Sequence, residues 1–227
     1  MACAGLIQRK EIWFPTRQGW LVLGGVVALV VLGTMVGAVP FLSTTRPMGG
    51  DVLVVEGWLP DYALAETKQI FEARGYRLLL VTGIPIDQGT HLSQETNYAF
   101  LASNTLKHMG LLPGALVPIA CPDVARNRTY ATARKVREWL DAHPGHAKVD
   151  VTSLGVHSRR TWLLYRLALG QRYETGIFAA RDQRYDDREW WKTSGGFRIV
   201  TSEIIAFIYA KLLFYPHWSK TADGDPI

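Results

Sequence analysis

The sequence predicts an α/β protein: a Rossmann-like, doubly wound and mainly parallel sheet of about five strands, preceded by one N-terminal transmembrane helix. Three observations carry this. From Asp51 to Ala180, short apolar segments rich in Val, Ile and Leu alternate with longer segments of helical character. The short segments are almost continuously apolar, as strands covered by helices on both faces must be. Ahead of them, residues 20–42 (WLVLGGVVALVVLGTMVGAVPFL) carry no charge.

The uncharged run exceeds the roughly 20 residues that cross a bilayer core. It is also longer than the apolar region of a cleaved signal peptide, and no good small-residue cleavage pattern follows it. Gly33 and Gly37 form a GxxxG, a helix-pairing signal. Arg9, Lys10 and Arg17 precede the span and Arg46 follows it. The excess of basic residues on the N-terminal side puts residues 1–19 in the cytoplasm, as a tail, and the α/β domain outside. Trp13, Phe14 and Trp20 suit the aromatic belt of the interface.

Residues 43–50 read as a linker. Beyond it, strands are expected at 51–56, 77–82, 115–120, 148–153 and 175–180. Helices are expected at 61–74, at 93–109 with Ser93 as cap, at 129–142 and at 157–169. Gly75, Gly110, Pro144 and Gly170 stop these helices. Residues 84–92 form a loop. Residues 199–215 form an apolar helix interrupted by Glu203 and Lys211, which favour a helix packed on the sheet over a second membrane span; its aromatic residues also suit the membrane surface. The domain thus runs over 51–215, with 216–227 as a C-terminal tail.

Composition narrows the function. Of 227 residues, 48% are hydrophobic, enough for a sizeable core, and 25 basic against 20 acidic residues give a net charge of +5. The charges are interspersed, which argues against a nucleic-acid surface. Cys3 and Cys121 flank the membrane span, so they do not pair, and no metal-ligand spacing of cysteines exists. His143-Pro144-Gly145-His146 is a turn with only a weak metal signal. P-loop, HExxH and GxSxG patterns are missing, and Glu56-Gly57-Trp58 after the first strand is not a GxGxxG. The residues specify no cofactor.

In a parallel sheet the strand ends that hand over to helices share one edge, where ligands bind. Four junctions collect chemistry there. The first ends in Glu56-Gly57. The second ends in Thr82-Gly83, with Glu95 in the following helix. The third carries Arg126-Asn127-Arg128-Thr129. The fourth runs from Ser153 to His157-Ser158-Arg159-Arg160. Each has a plain alternative, such as a helix cap or a solvated surface charge. Their coincidence predicts that Glu56, Thr82, Arg126, Asn127, Ser153, His157 and Arg159 converge on one crevice. The expected ligand is a phosphorylated or otherwise anionic small molecule. Arginine forks and helix N-termini suit anions. Gly57, Gly83 and Thr129 complete the candidate binding set.

Taken in order, DVLVVEGW (51–58), LLLVTGIP (78–85), SQET (93–96), ARNRTYATA (125–133) and VTSLGVHSRRTWLLYRLALG (151–170) resemble the YdcF-like domain of the SanA/ElyC group of bacterial envelope proteins. The tail REWWKTSGGFRIVTSEIIAFIYAKLLF (188–214) and the anchor resemble the same group. Where members often have glycines after the first and second strands, this chain has Glu56-Gly57-Trp58 and Ile84. The resemblance implies a Rossmann-like domain linked to envelope integrity, peptidoglycan and lipid-carrier metabolism; with the orientation set by the flanking basic residues, the expected place is the bacterial inner membrane with the domain on the periplasmic side. One branch of the group is associated with S-adenosylmethionine.

The expectation is therefore a single-pass envelope protein whose outer domain binds, and hydrolyses or transfers, a phosphorylated glycan or polyprenyl-linked ligand. Arg126, Arg159 and Arg160 would hold the anion. His157 would act as acid or base, and Glu56 or Glu95 would orient a water or hydroxyl. The alternatives are a non-catalytic scaffold recruiting partners through the span and the Trp190/Trp191 surface, and a cytoplasm-facing nucleotide or S-adenosylmethionine binder.

Overall fold

The computed structural model describes residues 14–87, 94–124 and 126–214. Its centre is a five-stranded sheet, all parallel, in the order β3-β2-β1-β4-β5. The strands are β1 (Val52–Glu56), β2 (Leu78–Gly83), β3 (Leu116–Ala120), β4 (Lys148–Leu154) and β5 (Glu174–Ala180). The chain first moves outward from β1 to β2 and β3. It then crosses back to β4 on the other side of β1. The order reverses between β1 and β4, and such a reversal opens a crevice beyond the carboxyl ends of those two strands.

Strand alternation assigns the helices to faces. Leu53, Val55, Leu79 and Val81 pack against α2 (Asp61–Arg74) and α3 (Tyr98–His108). Val52, Val54, Val149 and Val151 pack against α4 (Arg128–Ala142) and α5 (Ser158–Leu169). Both faces are dry, which explains why these strands read as unbroken apolar runs. Glu56 and Ser153 continue the second set by the two-residue period, so both point toward α5. A last helix, α6 (Ser194–Leu212), lies beside α5 and the short 3-10 turn Gly155–His157.

The chain divides into two compact units at Gly37–Ala38. The N-terminal apolar helix, α1 (Arg17–Leu42), is long and apolar enough to cross a membrane. Its one polar side chain past the first turns, Thr34, donates its hydroxyl to the Val30 carbonyl at 2.9 Å. The last turn of α1 belongs to the second unit. Ala38, Val39 and Leu42 are buried there with Val156, Tyr185, Trp190 and Val200. The α/β unit therefore begins thirteen residues before the expected Asp51, at Ala38.

Residues 43–50, expected to be a linker, are sewn to the sheet. Arg46 pairs antiparallel with Ile177 through bonds of 2.7 and 3.1 Å, which covers part of the β5 edge. The buried Asp150 carboxylate accepts the Met48 and Gly49 N–H groups at 2.7 and 2.9 Å and the Tyr76 hydroxyl at 2.5 Å. Burial, then the Asp150 bond and charge, push the Tyr76 hydroxyl pKa up. Sequence patterning did not show this because the anchor is a single carboxylate on a strand read as core.

Other boundaries moved less. α3 begins at Tyr98, with the Asn97 side chain accepting the Ala99 N–H at 2.9 Å as its cap. The expected cap Ser93, like His91 in the preceding loop, lies outside the described residues. α6 starts earlier than expected, capped by Thr193 on the Gly196 N–H at 3.1 Å.

Candidate functional site

The carboxyl ends of β1 and β4 bring Glu56 and Ser153 together at the crevice. Both are buried. Ser153 donates to Glu56 Oε2 at 2.5 Å, and Thr161 of α5 reaches the same oxygen at 3.4 Å. A buried carboxylate requires such donors, since charge in a dry environment is stabilised only by hydrogen bonds or a partner. Below it, the wholly buried Tyr165 hydroxyl has its pKa raised by burial and by the Glu56 charge, so it stays protonated.

The second oxygen of Glu56 faces His157. His157 Nε2 stands 3.8 Å from Glu56 Oε1. That gap is too wide for a direct hydrogen bond, and both atoms face the cavity. The opposite nitrogen, Nδ1, lies 2.9 Å from Glu203 Oε1 on α6. Arg160 grips the same carboxylate in a two-pronged bond, Nε to Oε2 and Nη2 to Oε1, each 2.9 Å. Burial alone would push the Glu203 pKa up, but the bonds from His157 and Arg160 outweigh it and bring it down to about 2. Glu203 is therefore an anion, and it accepts from both neighbours. Nδ1 carries the proton, so the 2.9 Å approach of Arg160 Nη2 to Nδ1 is two donors meeting at one acceptor. The Trp58 ring meets the imidazole edge-on at 5.2 Å. Together these contacts fix the ring and turn its Nε2 edge toward Glu56.

A cavity of about 680 Å³ opens above this pair. Its lining includes Glu56, Thr82, Gly83, Arg126, Asn127, Thr129, His157 and Arg160 from the expected set. Asn127 takes the left-handed conformation, φ 56, as the chain turns into α4. The rim mixes charge: Arg128 pairs with Asp87 at 3.1 Å, and Arg184 grips the buried Asp182 at 2.6 and 2.8 Å. Burial would raise Asp182, but Arg184 holds its carboxyl below the usual range. Arg126 is exposed at the mouth. Opposite the polar floor, α6 contributes an apolar wall that includes Ile199, Ala206 and Ala210.

Four expected residues sit elsewhere. Arg159 points away from the cavity: its Nε donates to the Phe41 carbonyl, and its guanidinium lies 4.0 Å over the Phe41 ring. Helical geometry sends adjacent residues to different sides, so Ser158 and Arg159 hold the end of α1 while His157 and Arg160 hold Glu203. Ser158 accepts the Thr44 N–H at 2.8 Å and donates to the Leu42 carbonyl at 3.1 Å. Glu95, in the segment ahead of α3, turns to that helix and accepts from Asn104 at 2.6 Å, outside the cavity lining. Gly57 is packed between elements; its N–H donates to the Thr82 carbonyl at 2.6 Å. Ser153 lies beneath the floor, where it positions Glu56.

Nucleotide and S-adenosylmethionine sites in such folds use free N–H groups after β1 and an acid after β2. Here the Gly57 N–H is already bonded and Pro60, the residue ahead of α2, has no N–H, so two of the donors such a site uses after β1 are missing, whereas Asp87 stands past β2 at the cavity rim. Among the described residues no cluster of three His, Cys, Asp or Glu side chains is placed to hold a metal ion. His143 stacks on Trp139 at 4.2 Å and His146 pairs with Asp51 at 2.9 Å.

Sequence reasoning passed over Glu203, Asp182 and Arg184 as site residues. Glu203 had a signal: a lone acid in an apolar helix needs a partner. Asp182 and Arg184 follow β5, whose end joins the same edge as the other four. Comparison with known protein families and with curated proteins finds no match for this chain.

Proposed function

We propose that this chain is a membrane-tethered bacterial envelope protein of YdcF-like type. Its cavity binds a phosphorylated glycan or polyprenyl-linked ligand and hydrolyses or transfers it by acid–base chemistry. The observation that supports this best is the Glu203–His157–Glu56 line: an anion fixes Nδ1–H, and Nε2 faces a buried carboxylate across 3.8 Å. An imidazole held in this way takes a proton from a water or hydroxyl that approaches Nε2 and Glu56 Oε1 from the cavity side. The anionic part of the ligand meets Arg126, Asn127 and the outer edge of Arg160, and its apolar part meets the α6 wall.

Trp190 weighs against the scaffold reading. It is 3% exposed and packed on Phe197, leaving only the half-buried Trp191 of the surface that reading requires.

The test is full-length protein in nanodiscs, assayed for phosphate or glycan release from phosphorylated sugars and polyprenyl-phosphate-linked sugars. His157→Ala should lower turnover by roughly 10²–10⁴-fold, the range typical of lost general acid–base catalysis. Turnover unchanged by His157→Ala and Glu56→Gln, in folded variants, overturns the assignment.

A further inference from the structure

α6 has two functions on opposite sides. Its inner side supplies Glu203 to His157 and part of the cavity wall. Its outer side is a stripe of residues at steps of four, four, three and four: Phe197, Thr201, Ile205, Ile208 and Leu212. Phe197 is 52% exposed, Ile205 68%, Ile208 48% and Leu212 61%. Such an apolar stripe on a helix normally faces a core. Here the buried side is the other one. Water contact along this stripe forfeits a substantial hydrophobic contribution, so something covers it.

Three features of α6 identify what covers it. The charged residues beside the stripe are Arg198 and Lys211, both exposed, and the helix's one acid, Glu203, faces inward. An apolar stripe edged by basic residues fits the boundary between acyl chains and anionic headgroups. α6 also packs on the end of the apolar helix, with Phe207 meeting Phe41 edge-on at 5.5 Å. Phe41, in the second unit that begins at Ala38, therefore lies against α6. Finally, α6 is unlike α1, the one helix among the described residues apolar enough to cross a membrane, since it carries three charges.

We infer that the outer stripe of α6 lies in the membrane interface, parallel to the bilayer surface, with Phe197, Ile205, Ile208 and Leu212 in the acyl-chain boundary. The cavity then sits one helix diameter, about 10 Å, behind the lipid surface. A ligand with a lipid tail would reach His157 around α6 without leaving the membrane. The inference stands on the surface of α6 and is independent of the reaction assigned to His157.

The test uses the full-length chain with Cys3 and Cys121 replaced by alanine. It is spin-labelled singly at Ile205→Cys, Ile208→Cys or Leu212→Cys and placed in nanodiscs of phosphatidylcholine and phosphatidylglycerol. Glu72→Cys and Glu138→Cys serve as water-facing references. In power-saturation measurements, α6 labels should show higher access to oxygen and lower access to a water-soluble nickel chelate than the references. Nickel access equal to the references places the stripe in water and overturns the inference. Shielding from both reagents, or dipolar broadening between labelled copies, assigns the stripe to a protein contact and overturns it as well.

Discussion

Glu203 on α6 holds His157 on the far side of a 46-residue separation, accepting its Nδ1–H at 2.9 Å while Arg160 clamps the same carboxylate from below. The pairing joins two elements that touch the sheet's crevice from different directions. It also sets the chemistry: a carboxylate kept ionised fixes the tautomer of a histidine and leaves Nε2 open to the cavity.

The depressed pKa of Glu203 makes stability pH-dependent. Folding lowers it from an ordinary 4.5 to about 2. The stabilisation is therefore complete above about pH 4.5 and is lost as pH falls toward 2. A shift of that size corresponds to roughly 3 kcal/mol, an upper figure for a group of this burial. Glu203→Gln should be less stable at neutral pH and should lose less stability between pH 5 and 2. Urea melts across that range check it; parallel pH dependence in both proteins would remove Glu203 as the titrating group.

Arg159 and Arg160 are neighbours in sequence with different partners. Arg160→Ala leaves Glu203 with one donor and should lower turnover about tenfold or more, since it loosens the histidine. Arg159→Ala removes a contact to Phe41 and should leave turnover near the native value while lowering the melting temperature by a few degrees. Paired assays and thermal melts distinguish them. Equal loss of activity in both variants would put Arg159 back at the site.

Gly83 ends β2 where α3 begins, and a Cβ there would stand 2.0 Å from the Ala99 nitrogen and 2.7 Å from the Tyr98 carbonyl carbon. Both are backbone atoms, so no side chain can swing away. Gly83→Ala should cost roughly 1–3 kcal/mol or more through overpacking. Gly75→Ala meets open space but carries φ 70, and should cost about 1 kcal/mol from backbone strain alone. Chemical denaturation of the two variants compares the effects, and a Gly83 variant no less stable than the Gly75 variant would contradict the packing.

The sheet was legible because its strands are apolar on both faces and glycine or proline follows the helices between them; the strand ranges needed shifts of only a residue at either end. The convergence of Glu56, Thr82, Arg126, Asn127 and His157 followed from topology alone, since parallel strand ends share an edge. Which side of α5 each residue takes did not follow. His157 and Arg160 lie one turn apart and meet Glu203, while Arg159 rotates onto Phe41, and only the position of α1's last turn decides that. Glu203 itself is separated from its partners by an entire strand and helix, and no local pattern joins them. Asp150 was hidden for the same reason: its donors at Met48, Gly49 and Tyr76 come from segments about a hundred and about seventy residues away.

Ser153 decides whether the site works through Glu56 or through a serine nucleophile. Its hydroxyl is fully buried and committed to Glu56 Oε2 at 2.5 Å, with Thr161 3.1 Å away. A nucleophile needs a base that takes its proton and an open path to the substrate. Here the hydroxyl faces a carboxylate under the cavity floor, and His157 faces the other carboxylate oxygen. Ser153→Ala should leave Glu56 with the weaker Thr161 bond, lower turnover about tenfold to a hundredfold, and leave the dissociation constant for a phosphorylated sugar nearly unchanged. Native protein should resist a fluorophosphonate serine probe. Labelling at Ser153, together with complete loss of turnover in Ser153→Ala, would make it the attacking group and reduce Glu56 to its base.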